Sequence, residues 1–320
     1  MANINKVSRI IVFRGGALGD FLLTLPAIAA LRRHFPGTYI ELAGYGKSAS
    51  IAMTSGIIDR VQSLDSERMA LYFQTSEKLS RDEQEYIRSF DMVISFLHDP
   101  DGILLKNLED AGAKNIITVS PIVGKKTKGY ASDRFFRGLK DVIGKEKCTP
   151  VKLEWPEELR QDALRRLATD AGNKRVIIVH PGSGSPAKNW PVEKFAMLAK
   201  KIRKTAKYQP VIIGGEADVK AIVIMRGLFP EAHFLVNAPL MDVASILSVA
   251  CGYVGNDSGI THLAAAMGIP VLALFGPTDP AIWAPRGKNV AIIKSRVPSS
   301  ESLAGIGVET VFRILIGNIG

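Results

Sequence analysis

Apolar positions along the chain fall into short runs, each closed by a glycine- or proline-bearing turn. Residues 8–14 (SRIIVFR) are β-branched and apolar and run into the turn GGALG at 15–19. From Asp20 to Phe35 the pattern changes: Phe21, Leu22, Leu25, Ile28, Ala29 and Leu31 recur at helical spacing, and Pro36-Gly37 ends the segment. Residues 38–44 predict a second strand. Weaker strands follow near 60–64, 92–97 and 115–119, with helical stretches between them. Short apolar strands alternating with helices are the signature of buried parallel strands joined by crossover helices.

The rhythm breaks at 145–156 (KEKCTPVKLEWP), a polar stretch with two prolines that predicts an interdomain linker. It then restarts. Strands are expected at 175–179, 210–215, 233–236, 252–256, 269–276 and 289–294. Helices are expected at 156–171, 191–202, up to Gly227, at 241–250, 258–267 and 308–316. The pattern predicts an α/β protein of two doubly wound, Rossmann-like domains, 1–150 and 151–320, with the last helix able to pack back on the first. Ligands of open parallel sheets bind at the carboxyl ends of the strands, and the simplest arrangement of two such sheets faces those edges across a cleft. The loops after strands are therefore where chemistry is expected.

Composition narrows the class. A chain of 320 residues, 47% hydrophobic and 22% charged, has enough apolar surface for two cores and is not globally disordered. Two cysteines, Cys148 and Cys251, make neither a disulfide framework nor a multi-cysteine metal site. The net charge of +10 favours anionic partners. Because it is shared by both halves, it argues against a dedicated nucleic-acid domain. No apolar run approaches the ~18–20 residues of a membrane span, and the N-terminus lacks the features of a signal peptide. A cytoplasmic location is expected.

Three loops carry candidate chemistry. GGALGD (15–20) follows the first strand, and Gly16 and Gly19 allow tight backbone near a helix N-terminus, which suits an anion. A dinucleotide fingerprint fails here, because Arg14 stands where the first glycine belongs; Glu41 would be its ribose-binding acid. Asp20 remains, and as a helix-capping residue it would be worth about 0.5–2 kcal/mol. HPGSGSPAKNWP (180–191) offers Ser183, Gly184 and Lys188, the chemistry of a phosphate cradle without a Walker A pattern. A plain surface loop is the alternative, but Trp190 prefers a packed position. In the third loop Asp257-Ser258-Gly259 opens an alanine-rich helix whose N-terminal dipole favours a diphosphate. An acid beside an anion site suits the hydroxyls of a sugar or ribose; capping by Asp257 or Ser258 is the alternative. His262 fits a packed histidine better than a ligand. Thr278 and Asp279 follow the next strand and point toward the same edge, while Glu216 after Gly214-Gly215 suits a ribose hydroxyl or a helix start. Residues 124–140 hold Lys125, Lys126, Lys128, Arg134, Arg137 and Lys140 against Asp133, either a solvated surface or a dock for an anionic acceptor or membrane face. No metal-ligand spacing and no serine-hydrolase elbow appears.

Taken together, these motifs resemble glycosyltransferase family 9, the lipopolysaccharide heptosyltransferases. FRGGALGDFLLTLPAIAALRRHFP resembles the family's N-terminal signature; HPGSGSPAKNWP and NDSGITHLAAAMGIPVLALFGPTDP resemble its donor-site signatures. The resemblance implies a GT-B fold and inverting transfer of heptose from ADP-heptose to a lipopolysaccharide inner-core acceptor, at the cytoplasmic side of the inner membrane. It implies no cofactor, no metal and no nucleic acid. Its partners are a nucleotide-sugar donor, an anionic glycolipid acceptor and, peripherally, the membrane. By position, Asp20 matches the general base. Ser183 and Lys188 match donor-phosphate contacts, and Glu216 matches a nucleoside contact. Asp257, Ser258 and Gly259 match the diphosphate and sugar loop, with His262 behind it; Gly16, Gly19 and Gly184 complete the expected loops. Residues 45–150 match poorly, which leaves the acceptor open. Rival readings are a nucleotide-sugar epimerase or hydrolase, a non-catalytic nucleotide-binding homologue and, more distantly, an NAD-dependent dehydrogenase.

Overall fold

A computed structural model describes residues 7–75, 78–124, 128–172, 174–295 and 302–320. The chain divides into two compact units, Met1–Val151 and Lys152–Gly320. The first runs β1 (Arg9–Arg14), α1 (Leu18–His34), β2 (Tyr39–Gly44), α2 (Gly46–Thr54), β3 (Arg60–Ser63), α3 (Glu67–Leu71), α4 (Arg81–Arg88), β4 (Met92–Ser95), α5 (Ile103–Asp110), β5 (Ile116–Thr118), α6 (Ala131–Arg137) and α7 (Lys140–Ile143). Its sheet is parallel, in the order β3-β2-β1-β4-β5. The chain winds outward from β1 to β3 and returns to β4 on the other side of β1. The crevice at the carboxyl ends of β1 and β4 is therefore a topological switch point, where such sheets bind ligands.

The second unit runs α8 (Glu157–Ala171), β6 (Arg175–His180), α9 (Val192–Lys204), β7 (Tyr208–Gly214), α10 (Val219–Leu228), β8 (His233–Val236), α11 (Leu240–Val249), β9 (Gly252–Asn256), α12 (Gly259–Ala266), β10 (Val271–Phe275), α13 (Pro280–Trp283), β11 (Val290–Lys294) and α14 (Val308–Ile319). Its parallel sheet has the order β11-β10-β9-β6-β7-β8. Here the switch point lies between β6 and β9.

Apolar runs at the strand centres explain both cores. Ile10, Ile11, Val12 and Phe13 of β1 and Ile177, Ile178 and Val179 of β6 are fully buried. α1 starts two residues before its expected position and is buried from Phe21 through Leu31 on every side. That is the burial expected of a helix apolar all round. The last helix packs on its own sheet, with Val311, Leu315 and Ile319 in the core of the second unit. The polar stretch at 145–156 is irregular, as its lack of period predicts, but its end is fixed. The Leu153 N–H donates to the Ala266 carbonyl at 2.8 Å, and the Trp155 ring N–H donates to Ser245 Oγ at 3.1 Å.

Glu41 is not a ribose-binding acid. It is 1% exposed and accepts hydrogen bonds from the hydroxyls of Tyr39 (3.1 Å) and Tyr86 (2.6 Å). Burial first, and then that carboxylate, raise the pKa of both phenols.

Candidate functional site

In the first unit the turn after β1 builds a carboxylate with one anchored oxygen. Gly16 takes φ +92°, a left-handed conformation that favours glycine, and this turns the chain into α1. Asp20, in the first turn, reaches back so that Oδ2 accepts the Ala17 N–H at 3.2 Å; Oδ1 accepts no hydrogen bond among the described residues. The backbone beneath is clamped by Arg14, which donates to the carbonyls of Asp20 (2.8 Å) and Phe96 (3.1 Å) and lies over the Phe135 ring at 5.2 Å. Burial lowers the Arg14 pKa and the nearby Asp20 charge opposes that shift; a guanidinium stays charged. Asp20, Arg14, Gly16, Tyr45, Asp65 and His98 are among the residues around a cavity of about 430 Å³ at this edge. Gly19 lies inside α1. Both the capping contact and an open carboxylate oxygen are therefore present at Asp20.

In the second unit the loops after β6, β9 and β10 converge. Lys188 Nζ lies 2.9 Å from Asp257 Oδ2, and the Thr278 hydroxyl donates to the same oxygen at 2.7 Å. Asp257 is buried, while Lys188 remains about one-third exposed. Ser258 is the N-cap of α12 and Gly259 its first residue. Lys294 donates to the carbonyls of Gly276 (2.8 Å) and Thr278 (2.6 Å), which fixes the loop carrying Thr278. Asp279 caps α13 through the Ala281 N–H. His262 is buried on α12.

Two expected contacts look different in the fold. The Ser183 hydroxyl is engaged inside its own loop, with Asn189 Oδ1 at 2.6 Å and the Ser185 carbonyl at 2.8 Å, so Ser183 shapes the 181–190 loop. Gly184 beside it is exposed. Glu216 is exposed as well, and the buried acid of that turn is Asp218, 7% exposed. Of the basic segment 124–140, Lys125, Lys126 and Thr127 lie outside the described residues. Phe135 and Phe136 of α6 are buried, and Arg137 is exposed.

Sequence reasoning missed the residues that brace these loops. Asn256, fully buried, accepts the Trp190 N–H at 2.9 Å and donates to the Pro181 carbonyl at 2.9 Å. It thereby pins both ends of the 181–190 loop. Trp190 is packed as expected, 1% exposed, with its ring N–H donating to the Ile306 carbonyl. His180, at the end of β6, sits between Asp218 (Nε2 to Oδ2, 3.1 Å) and the Tyr253 hydroxyl (Nδ1, 3.2 Å). The available signal was a polar residue closing each apolar strand: His180 in RVIIVH and Asn256 in GYVGN.

Burial works against the Asp218 charge. The hydrogen bond and charge of His180 and the Gly215 N–H outweigh it, and the pKa falls below its ordinary 3.8. A depressed carboxylate pKa stabilises the fold above the unfolded value, and that contribution is lost as pH drops through the folded one. Between pH 4 and pH 2, Asp218→Asn should therefore flatten the acid limb of the stability curve in urea titrations; an unchanged limb would contradict the pairing. Among the described residues no group of three or more His, Cys, Asp or Glu side chains is arranged to hold a metal ion.

Two doubly wound parallel domains in one chain, with a charged loop cluster at the second domain's switch point, are the architecture of the GT-B fold. The family model "Glycosyltransferase family 9 (heptosyltransferase)" matches residues 126–305, more than half of the chain, and the chain belongs to this family. It is 22% identical over 291 residues to lipopolysaccharide heptosyltransferase 3 of Escherichia coli K12, covering 85% of this chain and 83% of that protein. It is 24% identical over 314 residues to lipopolysaccharide heptosyltransferase 1 of Pseudomonas aeruginosa, covering 92% and 86%. Its fold matches the solved E. coli ADP-heptose lps heptosyltransferase II with a TM-score of 0.79 at 18% identity, covering 97% and 98%.

Proposed function

We propose that this glycosyltransferase moves a heptose from ADP-heptose to an anionic lipopolysaccharide inner-core acceptor, with inversion, and that Asp20 is the general base. The observation that carries the donor half is the Lys188–Asp257–Thr278 cluster beside the N-terminus of α12. A partly exposed ammonium beside a helix N-terminus suits a diphosphate. The buried Asp257 carboxylate holds the ammonium and suits sugar hydroxyls. The relatives' names, which specify lipopolysaccharide and ADP-heptose, agree with that chemistry.

The reaction divides into two charges to be managed. As the acceptor oxygen attacks the anomeric carbon, its proton passes to Asp20, whose Oδ1 is open while Oδ2 is tied to Ala17. The C–O bond to the diphosphate breaks through an oxocarbenium-like state, and ADP leaves with its negative charge beside Lys188 and the α12 N-terminus. Donors already aimed at a developing charge need no reorganisation during the reaction. No helix among the described residues is long and apolar enough to cross a membrane. Access to a lipid-borne acceptor is assigned to peripheral contact at the cytoplasmic face of the inner membrane, where the net charge of +10 favours an anionic surface.

Thermal-shift screening with ADP-, UDP- and GDP-sugars tests the donor. A ligand at 100 times its Kd adds about 2.7 kcal/mol of stability, so ADP-heptose should raise Tm well above the other two; an equal or larger shift with UDP-sugars would refute the assignment. Donor turnover should require acceptor, and rapid breakdown of ADP-heptose alone would point to a hydrolase. Lys188→Ala should weaken ADP binding at least tenfold, roughly the 1.5–3 kcal/mol of a charge-assisted hydrogen bond. Unchanged affinity by calorimetry would remove Lys188 from the site.

A further inference from the structure

His180 is among the buried titratable groups that the mechanism above leaves unused. It is 4% exposed and stands behind the loops after β6, β7 and β9. Its surroundings form a chain of hydroxyls whose hydrogens can be traced. The Thr261 hydroxyl donates to the Asn256 carbonyl at 2.5 Å. With its single hydrogen committed there, Thr261 Oγ1 can only accept from its other neighbours, the Tyr253 hydroxyl at 2.9 Å and Ser258 Oγ at 3.0 Å. The one hydrogen of Tyr253 is then directed at Thr261, while Ser258 Oγ accepts the Thr261 N–H at 3.3 Å and lies between Thr261 and His180 Nδ1, 3.4 Å from the ring. The 3.2 Å approach of Tyr253 to His180 Nδ1 is then a hydrogen bond only if Nδ1 supplies the proton. On the other side of the ring, Nε2 faces Asp218 Oδ2 at 3.1 Å, an oxygen that already accepts the Gly215 N–H at 2.8 Å. A neutral imidazole donates from one nitrogen and accepts at the other; an imidazolium donates from both. Either neutral form leaves one of these short contacts without a hydrogen.

We propose that His180 is held as an imidazolium, paired with Asp218 and donating to Tyr253, and that it is a positioning residue for the donor loops. That second role rests on the donor reading above; the charge state does not. The pairing explains why a buried charge is tolerated, since it is matched by a carboxylate and its protons are both satisfied. Its reach is structural. His180 opens the 181–190 loop, Asp218 holds the Gly215 turn by its N–H, and the hydroxyl chain ends at Ser258, the N-cap of α12. One ring thereby fixes three stretches of backbone, two of which, the 181–190 loop and the start of α12, carry the proposed diphosphate contacts. No charge from the pair needs to reach the ligand for this to matter: a loop displaced by an ångström loses aligned donors.

The test has two arms. Nitrogen-15 NMR of histidine-labelled wild-type protein at pH 7 should show His180 with both ring nitrogens protonated, assigned by its loss in His180→Gln. A neutral tautomer would overturn the charge state. Tyr253→Phe keeps the buried ring and removes only the hydroxyl, and together with His180→Gln it should weaken ADP binding about tenfold or more. The double variant should lose little more than either single one, because both cut one chain. Full ADP affinity in both singles would overturn the positioning role. If the wild-type protein binds no ADP, the donor reading fails instead. Amide exchange at 182–185 and 258–261 then decides the loop coupling: faster exchange in folded Tyr253→Phe sustains it, and unchanged exchange overturns it.

Discussion

Asp20→Asn is expected to lower kcat by about 10²–10⁴-fold, the usual contribution of a positioned general base, while ADP affinity changes less than about twofold. The substitution separates the two roles that the geometry allows. Asparagine is as good a residue as aspartate near a helix N-terminus. Its side-chain oxygen can still accept the Ala17 N–H that Asp20 Oδ2 accepts now, so the fold should lose at most the helix-dipole contribution of a carboxylate, about 0.3–1 kcal/mol. An amide has no useful basicity, however, and the acceptor proton would have nowhere to go. Arg14 would still clamp the backbone at position 20 through the carbonyl, so the side chain stays where it is and only its chemistry changes. Steady-state kinetics with calorimetry on the same preparation separates the outcomes. Near-normal turnover would make Asp20 a capping residue and remove it from the mechanism; a collapse of ADP affinity would mean the substitution disturbs the fold more widely.

Strands were legible because parallel, doubly covered strands are apolar throughout. β8 and β9 match the expected 233–236 and 252–256 to the residue, since turn residues bound them on both sides. Trp190 was legible because a large ring in a polar loop has few reasons to be there except packing. The details of the site were harder to see. Glu216 and Asp218 share one turn, and only the chain's path sends Asp218 inward to meet His180. Ser183 reads as a ligand hydroxyl until the loop closes on it and Asn189 takes its hydrogen. The partners of Asn256 are about 66 to 75 positions away in sequence, so no local pattern announces them. Periodicity reports which face is buried, whereas the polar braces of a loop depend on which strands the topology sets side by side. In this sheet β9 lies next to β6, and that adjacency brings Asn256 beneath the 181–190 loop.

Gly182→Ala should destabilise the second domain by about 3 kcal/mol or more, at the upper end of the usual cost of overpacking. A Cβ built on Gly182 would lie 1.6 Å from Asp218 Oδ1 and 2.1 Å from its Cγ. Such a clash is often relieved by swinging the offending side chain away. Here Asp218 is buried and fixed at its other oxygen by the Gly215 N–H and by His180, so it cannot yield without leaving His180 unpaired. The alternative is displacement of the backbone at 182, which Asn256 ties through the Pro181 carbonyl. Either route opens the loop that carries Lys188, and weaker ADP binding should accompany the fall in the urea midpoint. Removing the clash from the other side gives the decisive control. Asp218→Ala alone costs stability by stranding His180, yet in Gly182→Ala it also relieves the overlap, so the double variant should be more stable than the two single losses predict. Strict additivity would show that contact with Asp218 is not what keeps residue 182 a glycine.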